Sequence, residues 1–139
     1  MIILSVDYGD ARTGLAVCDK FEMLARPLCV IPETDHDKLL EKILAAVKEN
    51  RVETVVWGNP INMNGSYGER SEKCKDLAQR FEELSKIPVI LWDERSTTVE
   101  AHNILNVTDT RGKNRKKVID AVAATLILEN YLSYRKNNK

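Results

Sequence analysis

Cysteine is scarce in this chain and poorly placed for either of its structural uses. Cys18, Cys29 and Cys74 are odd in number, widely separated and include no C-x-x-C pair, which argues against both a disulfide framework and a zinc site. Three reduced core thiols are expected. Long apolar runs are missing too: Asp7 breaks the N-terminal stretch Met1–Val6 too soon for a signal-peptide core or a spanning helix. A cytoplasmic protein without a membrane partner is the expectation. Net charge is also absent, since Lys plus Arg equals Asp plus Glu at 21 each. Affinity for a polyanion must then come from local arrangement, not overall balance. The two histidines, His36 and His102, show no spacing that suggests a Ser-His-Asp or Cys-His arrangement, and surface or capping roles are assigned to them. There is no internal repeat, low-complexity tract or linker. With 139 residues, 43% of them hydrophobic, the chain has the size of one domain, residues 1–139, that fills a single core without staples.

The pattern of apolar residues supplies the elements. Ile2–Val6, Gly14–Cys18 and Ala25–Ile31 read as strands joined by short turns, hence as antiparallel neighbours. From Asp37 the period changes: Leu39, Leu40, Ile43, Leu44 and Val47 recur at helical spacing, with Thr34 or Asp35 available as a cap and an end near Asn50. Thr54–Trp57 reads as a buried strand broken at Gly58-Asn59-Pro60. A second helix carries Cys74, Leu77, Ala78, Phe81 and Leu84 as its inner stripe, and Pro88–Trp92 is the last strand. Thr97 and Glu100 form a capping-box signature for a helix reaching about Leu105. The final helix, from about Lys116 to Tyr134, is apolar nearly all round at its start and should pack deep against the sheet. This order predicts an α/β fold: a mixed five-stranded sheet, three antiparallel N-terminal strands plus two parallel strands, flanked by helices on both faces.

Acids stand where apolar segments end. Asp7 closes the first strand, Asp93-Glu94 follows the last, and Asp120 is the only charge between Val118 and Leu128. Burying such carboxylates requires a compensating charge, and an oxygen-rich site selects a hard divalent cation. Small Ala123 and Ala124 share the helical face of Asp120 and let that helix approach the sheet near Asp7. Alternation along a strand prevents Asp93 and Glu94 from both aiming at one ion. A turn cap for Asp93 and an Arg95 pair for Glu94 are the structural alternatives. Cations cluster as well: Arg111, Lys113, Arg115, Lys116 and Lys117 occupy five of the seven positions 111–117, with Gly112 and Asn114 between them. The expectation is a pliable basic loop before the last helix, either simply solvated or contacting phosphates.

Four blocks taken together, Asp7-Tyr8-Gly9 with Arg12 and Gly14, Gly58-Asn59-Pro60 with Asn64-Gly65, Asp93-Glu94-Arg95-Ser96-Thr97-Thr98, and Ile119-Asp120 with Ala123-Ala124, resemble the signature of the YqgF family. They keep the family's order and span the chain. The resemblance implies a ribonuclease H-like fold and the activity of a nuclease, members being described as Holliday-junction resolvases or as nucleases maturing the 5′ end of pre-16S ribosomal RNA. By that similarity Asp7, Glu94 ahead of Asp93, and Asp120 are the catalytic, metal-binding carboxylates. One departure stands out: better-known resolvases of this fold carry a glutamate after the fourth strand, where this chain has Gly58-Asn59-Pro60.

The expected function is therefore a metal-dependent endonuclease acting on structured nucleic acid in ribosome biogenesis, with branched DNA as the alternative substrate. Two Mg2+ or Mn2+ ions about 3.5 to 4 Å apart are expected, bridged by Asp7. Without them the clustered carboxylates repel one another, so metal binding and activity should weaken toward acidic pH. Arg12 and Arg95 are candidates for flanking phosphates, surface ion pairs being the other reading of each. The polar loop 59–68, with Asn59, Asn64 and Gly65, is a candidate substrate segment, and Tyr67 and Trp92 are candidate stacking residues, although a core position is commoner for a strand-end tryptophan. Two rivals remain at this level: a nucleic-acid-binding module without turnover, and an actin-like nucleotide-binding lobe, for which 139 residues leave no second lobe. No nucleotide cofactor is expected, and the protein is expected to be a monomer or a homodimer.

Overall fold

The described elements follow the expected order, three strands and then helix, strand, helix, strand and helix. A computed structural model describes residues 1–59, 68–93 and 112–137, excepting the side chains of Asp93 and of residues 112–121. Its strands are β1 (Ile3–Asp7), β2 (Thr13–Cys18), β3 (Ala25–Ile31), β4 (Thr54–Asn59) and β5 (Val89–Asp93). Its helices, numbered here in chain order, are α1 (His36–Glu49), α2 (Glu69–Ser85) and α3 (Gly112–Asn137). The helix expected at Thr97–Leu105 lies outside the described residues.

The five strands form one sheet in the order β3-β2-β1-β4-β5. β1 pairs antiparallel with β2, and β2 with β3. β4 joins β1 in parallel, and β5 joins β4 in parallel. The mixed sheet predicted from the sequence is the sheet observed. β3 is an edge strand, which is where its Pro27 is tolerated, and its register with β2 shifts between Leu15 and Ala16. β4 runs two residues past its expected break, through Gly58 to Asn59, because Gly58 and Asn59 still pair with Trp92 and Asp93 of β5.

Strand alternation sorts the interior into two layers. Leu4, Val6, Leu15, Val17, Val55 and Trp57 project to one side and meet Leu39, Ile43 and Val47 of α1 and Cys74, Leu77 and Phe81 of α2. Ile3, Ala16, Cys18 and Val56 project to the other and meet Ala124, Ile127, Leu128 and Tyr131 of α3. Every residue of β1 is buried, since a central strand covered on both faces has no solvent side. Asp35, one of the two expected caps, starts α1: its Oδ1 accepts from the Lys38 amide at 3.0 Å, satisfying one of the orphan donors of the first turn.

Several expectations change. Leu84 is 49% exposed and lies outside the inner stripe of α2, because the four preceding apolar positions already fill the contact with the sheet. Cys18 and Cys74 are buried, but Cys29 is exposed: it stands on the edge strand, where one face is uncovered. Finally, α3 begins at Gly112, so Lys113, Arg115, Lys116 and Lys117 belong to its opening turns and not to a loop. Lys and Arg are good helix formers, and a charge run alone does not break a helix.

Candidate active site

The three parallel strands β1, β4 and β5 end at the same margin of the sheet, where ligands collect in open α/β sheets. Asp7, Asn59 and Asp93 are their last residues. Asp7 is 9% exposed. Ile3 and Ser5 precede it at alternate positions, and both meet α3: Ile3 belongs to the α3-side core, and the Ser5 hydroxyl donates to the Ala124 carbonyl at 2.6 Å. Parity thus directs Asp7 toward the α3 side.

The direction of α3 decides what lies beside it. At the far end of β1, Glu22 accepts from Arg135 Nε at 2.7 Å and from the Met1 ammonium at 3.0 Å. The C-terminal end of α3 therefore lies by the start of β1, and the helix runs antiparallel to the strand. From the Ser5–Ala124 contact, two residues along β1 advance about 7 Å and four residues back along α3 about 6 Å. Positions 7 and 120 come level. The small residues Ala123 and Ala124, 3% and 0% exposed, permit the close crossing.

On the opposite side of β1 sits a polar cluster that the sequence did not reveal. The Tyr8 ring is 3% exposed; its hydroxyl donates to Asp10 Oδ1 at 3.1 Å and lies 3.0 Å from His36 Nε2. Burial, followed by the Asp10 carboxylate, raises the Tyr8 pKa to about 12. Arg70 Nη2 donates to the Tyr8 carbonyl at 2.6 Å, and Lys73 Nζ stands 3.6 Å from Asp10. His36 is half-buried against Tyr8, a contact that the surface or capping role expected for it did not include. The cluster escaped because its members come from α1, α2 and the β1–β2 turn, with no sequence period in common. A Cβ at Gly9 would overlap the Arg12 carbonyl oxygen, which explains the glycine of Asp7-Tyr8-Gly9: the turn closes where only hydrogen fits.

The other expected residues divide clearly. Asn59 belongs to β4 and not to the loop; it is 6% exposed, and its Oδ1 accepts from Ser71 of α2 at 2.6 Å. Arg12 is half-exposed in the turn between β1 and β2. Trp92 packs against Tyr131 and Tyr134, with ring centroids 5.3 Å apart in each case, the packing role weighed for it above. Glu94, Arg95, Asn64, Gly65, Tyr67, His102 and Arg111 lie outside the described residues, as do the side chains of Asp93, Lys113, Arg115, Lys116, Lys117 and Asp120. Among the described side chains no three His, Cys, Asp or Glu residues gather; Asp7 is the one expected carboxylate ligand whose side chain is described. No described helix is long and apolar enough to cross a membrane.

The chain is similar to proteins already known. The family model described as "RuvX: Holliday junction resolvase" matches residues 1–134. A protein of Halothermothrix orenii named "Putative pre-16S rRNA nuclease" is 42% identical over 135 residues, covering 97% of this chain and 96% of its own. One of the same name from Carboxydothermus hydrogenoformans is 42% identical over 138 residues, covering 99% and 100%. Among solved structures, RuvC of Thermus thermophilus in complex with a Holliday junction substrate aligns with a TM-score of 0.63 at 14% identity, over 99% of this chain and 96% of that one. The fowlpox virus resolvase bound to Holliday junction DNA aligns with a TM-score of 0.57 at 14% identity, over 97% and 99%. At those identities the structures show a shared fold, the one expected from the four blocks. With a family model matching nearly end to end and relatives at 42% identity over full length, this chain belongs to the RuvX family of Holliday junction resolvases.

Proposed function

We propose that this protein is a divalent-metal-dependent endonuclease that cleaves structured nucleic acid at the margin formed by β1, β4 and β5, with the 5′ end of pre-16S ribosomal RNA as its substrate. The observation that carries the reading is the buried Asp7 carboxylate at the end of a central strand, level with position 120 of α3. A carboxylate at that margin stands where ligands gather in open α/β sheets and offers hard oxygen donors to a divalent cation. Asp7, Glu94 and Asp120 would hold Mg2+ or Mn2+, with Glu94 taken ahead of Asp93 on the family resemblance. When bound, such ions activate water and stabilise the departing 3′ oxygen. The donor set fits them, being composed of hard oxygen ligands.

The chain's own residues supply binding. Arg12 flanks Asp7 and is suited to the adjacent phosphate. The first turn of α3 contains no acidic residue while Lys113 and Arg115 stand in it, against the helix dipole at a cost of about 0.3 to 1 kcal/mol each, and Lys116 and Lys117 follow in the next turn. Cations placed against the dipole are accounted for by an anionic partner, here the phosphate backbone. These features and the names of relatives that match over nearly their full length support a single-domain nuclease, and a cytoplasmic location is part of the same proposal.

Cleavage of matched ribosomal RNA precursor and four-way DNA junction by wild type and Asp7→Asn, with Mg2+ and Mn2+, tests the reading. RNA cleavage should fall at least about a hundredfold in the variant while binding persists. Equal cleavage by both proteins sinks it. Junction cleavage without RNA cleavage selects the alternative, a Holliday-junction resolvase, for which the family description speaks.

A further inference from the structure

We propose that Arg70 is a positioning residue for Asp7, holding the backbone beyond β1 so that the carboxylate presents to a divalent cation; the proposal rests on Asp7 being a metal ligand. Arg70 lies in the first turn of α2, far along the chain from the site, yet its Nη2 donates to the carbonyl of Tyr8, the residue after Asp7, at 2.6 Å. A guanidinium on a neutral carbonyl is a charge-assisted bond, and this one joins α2 to the peptide that leaves β1. The same turn is held at further points. Its Tyr8 side chain is buried and tied to Asp10 and His36, Asp10 is paired with Lys73 of the same helix, and Gly9 leaves no room for a Cβ.

Arg70 and Lys73, three residues apart on α2 and therefore on one face, thus grip successive parts of the turn: one its main chain, the other its acid. Arg70 is itself exposed, so it is not needed to fill the core, and its loss should cost little stability. Its effect belongs instead to the orientation of the neighbouring ligand, where groups behind a metal ligand act on affinity by about tenfold or more. Lysine offers a point charge in place of a planar fork and should recover part of the effect.

Titration of the full chain with Mn2+ alone, with the free ion followed by electron paramagnetic resonance, separates this from a purely structural role. Asp7→Asn should abolish specific binding. Arg70→Gln should weaken it about tenfold with its melting temperature within a few degrees of wild type, and Arg70→Lys should fall between. Wild-type Mn2+ affinity in Arg70→Gln overturns the proposal and leaves Asp7 as a ligand. A weakening matched by a comparable loss of folded protein also overturns it, since the role is then structural. Should the glutamine variant not fold, Arg70→Lys decides: reduced affinity in a folded protein supports positioning, unchanged affinity removes it. Unchanged binding in Asp7→Asn ends the metal-ligand reading, and the role of Arg70 with it.

Discussion

Tyr8 shows how much a single buried hydroxyl registers. Its proton is held by burial and by the Asp10 carboxylate, so its pKa of about 12 exceeds the value near 10 of an unfolded tyrosine. Below pH 10 both states are protonated and the contribution is fully present. Between pH 10 and 12 the unfolded chain releases the proton and the folded one does not, so stability is lost. Tyr8→Phe should therefore show a shallower alkaline decline in denaturation midpoints than wild type over that range. Thr13 presents the opposite case. It is fully buried and, among the described residues, its Oγ1 finds no hydrogen-bond partner, an arrangement that costs about 1 to 3 kcal/mol. The near-isosteric Thr13→Val keeps β-branching and should raise stability by about 1 kcal/mol in urea titration. Neither role was legible in the sequence, because a hydroxyl's partner, or lack of one, is settled by what another segment brings near it.

Among the elements, the β2–β3 hairpin and α3 meet at one carboxylate. Glu22 is bonded to Arg135 and to the Met1 ammonium, and the Arg135 hydrogen bond comes first among the causes that hold its pKa down at about 2. A depressed carboxylate stabilises the fold above its unfolded value and loses that contribution as pH falls through the folded one, here from about pH 4.5 toward pH 2. Glu22→Gln should lower stability at pH 7 by on the order of 1 kcal/mol after solvent screening, with wild type and variant converging in acid unfolding near pH 2. The packing between α2 and the sheet is less forgiving. Phe81 is fully buried against Trp57, centroids 6.2 Å apart, and Phe81→Ala should cost about 3 to 5 kcal/mol by calorimetry. Period alone foretold that stripe up to Phe81 and overshot at Leu84, since spacing defines a face but not how far the neighbouring layer extends.

At the scale of the whole molecule, α3 crosses β1 and brings the last part of the chain against the first. The contact is Ala124 on Ser5, without room between them. Ala124→Leu should overpack it, lowering stability by about 1 to 3 kcal/mol. It should also reduce cleavage more than the folded fraction explains, because position 120 is carried away from Asp7. Calorimetry and cleavage assays on the same preparation check both effects.

The sequence by itself determined the element order, the mixed sheet and the family, because apolar periodicity and four short blocks are local properties that survive without coordinates. It also marked Asp7, since an acid closing an apolar strand is conspicuous in one dimension. Tertiary structure alone decided that α3 runs antiparallel to β1, that Asn59 serves α2, and that Arg70 reaches the turn beyond Asp7. Those are relations between segments distant along the chain, and their energy comes from packing and hydrogen bonds that exist only once the layers have closed.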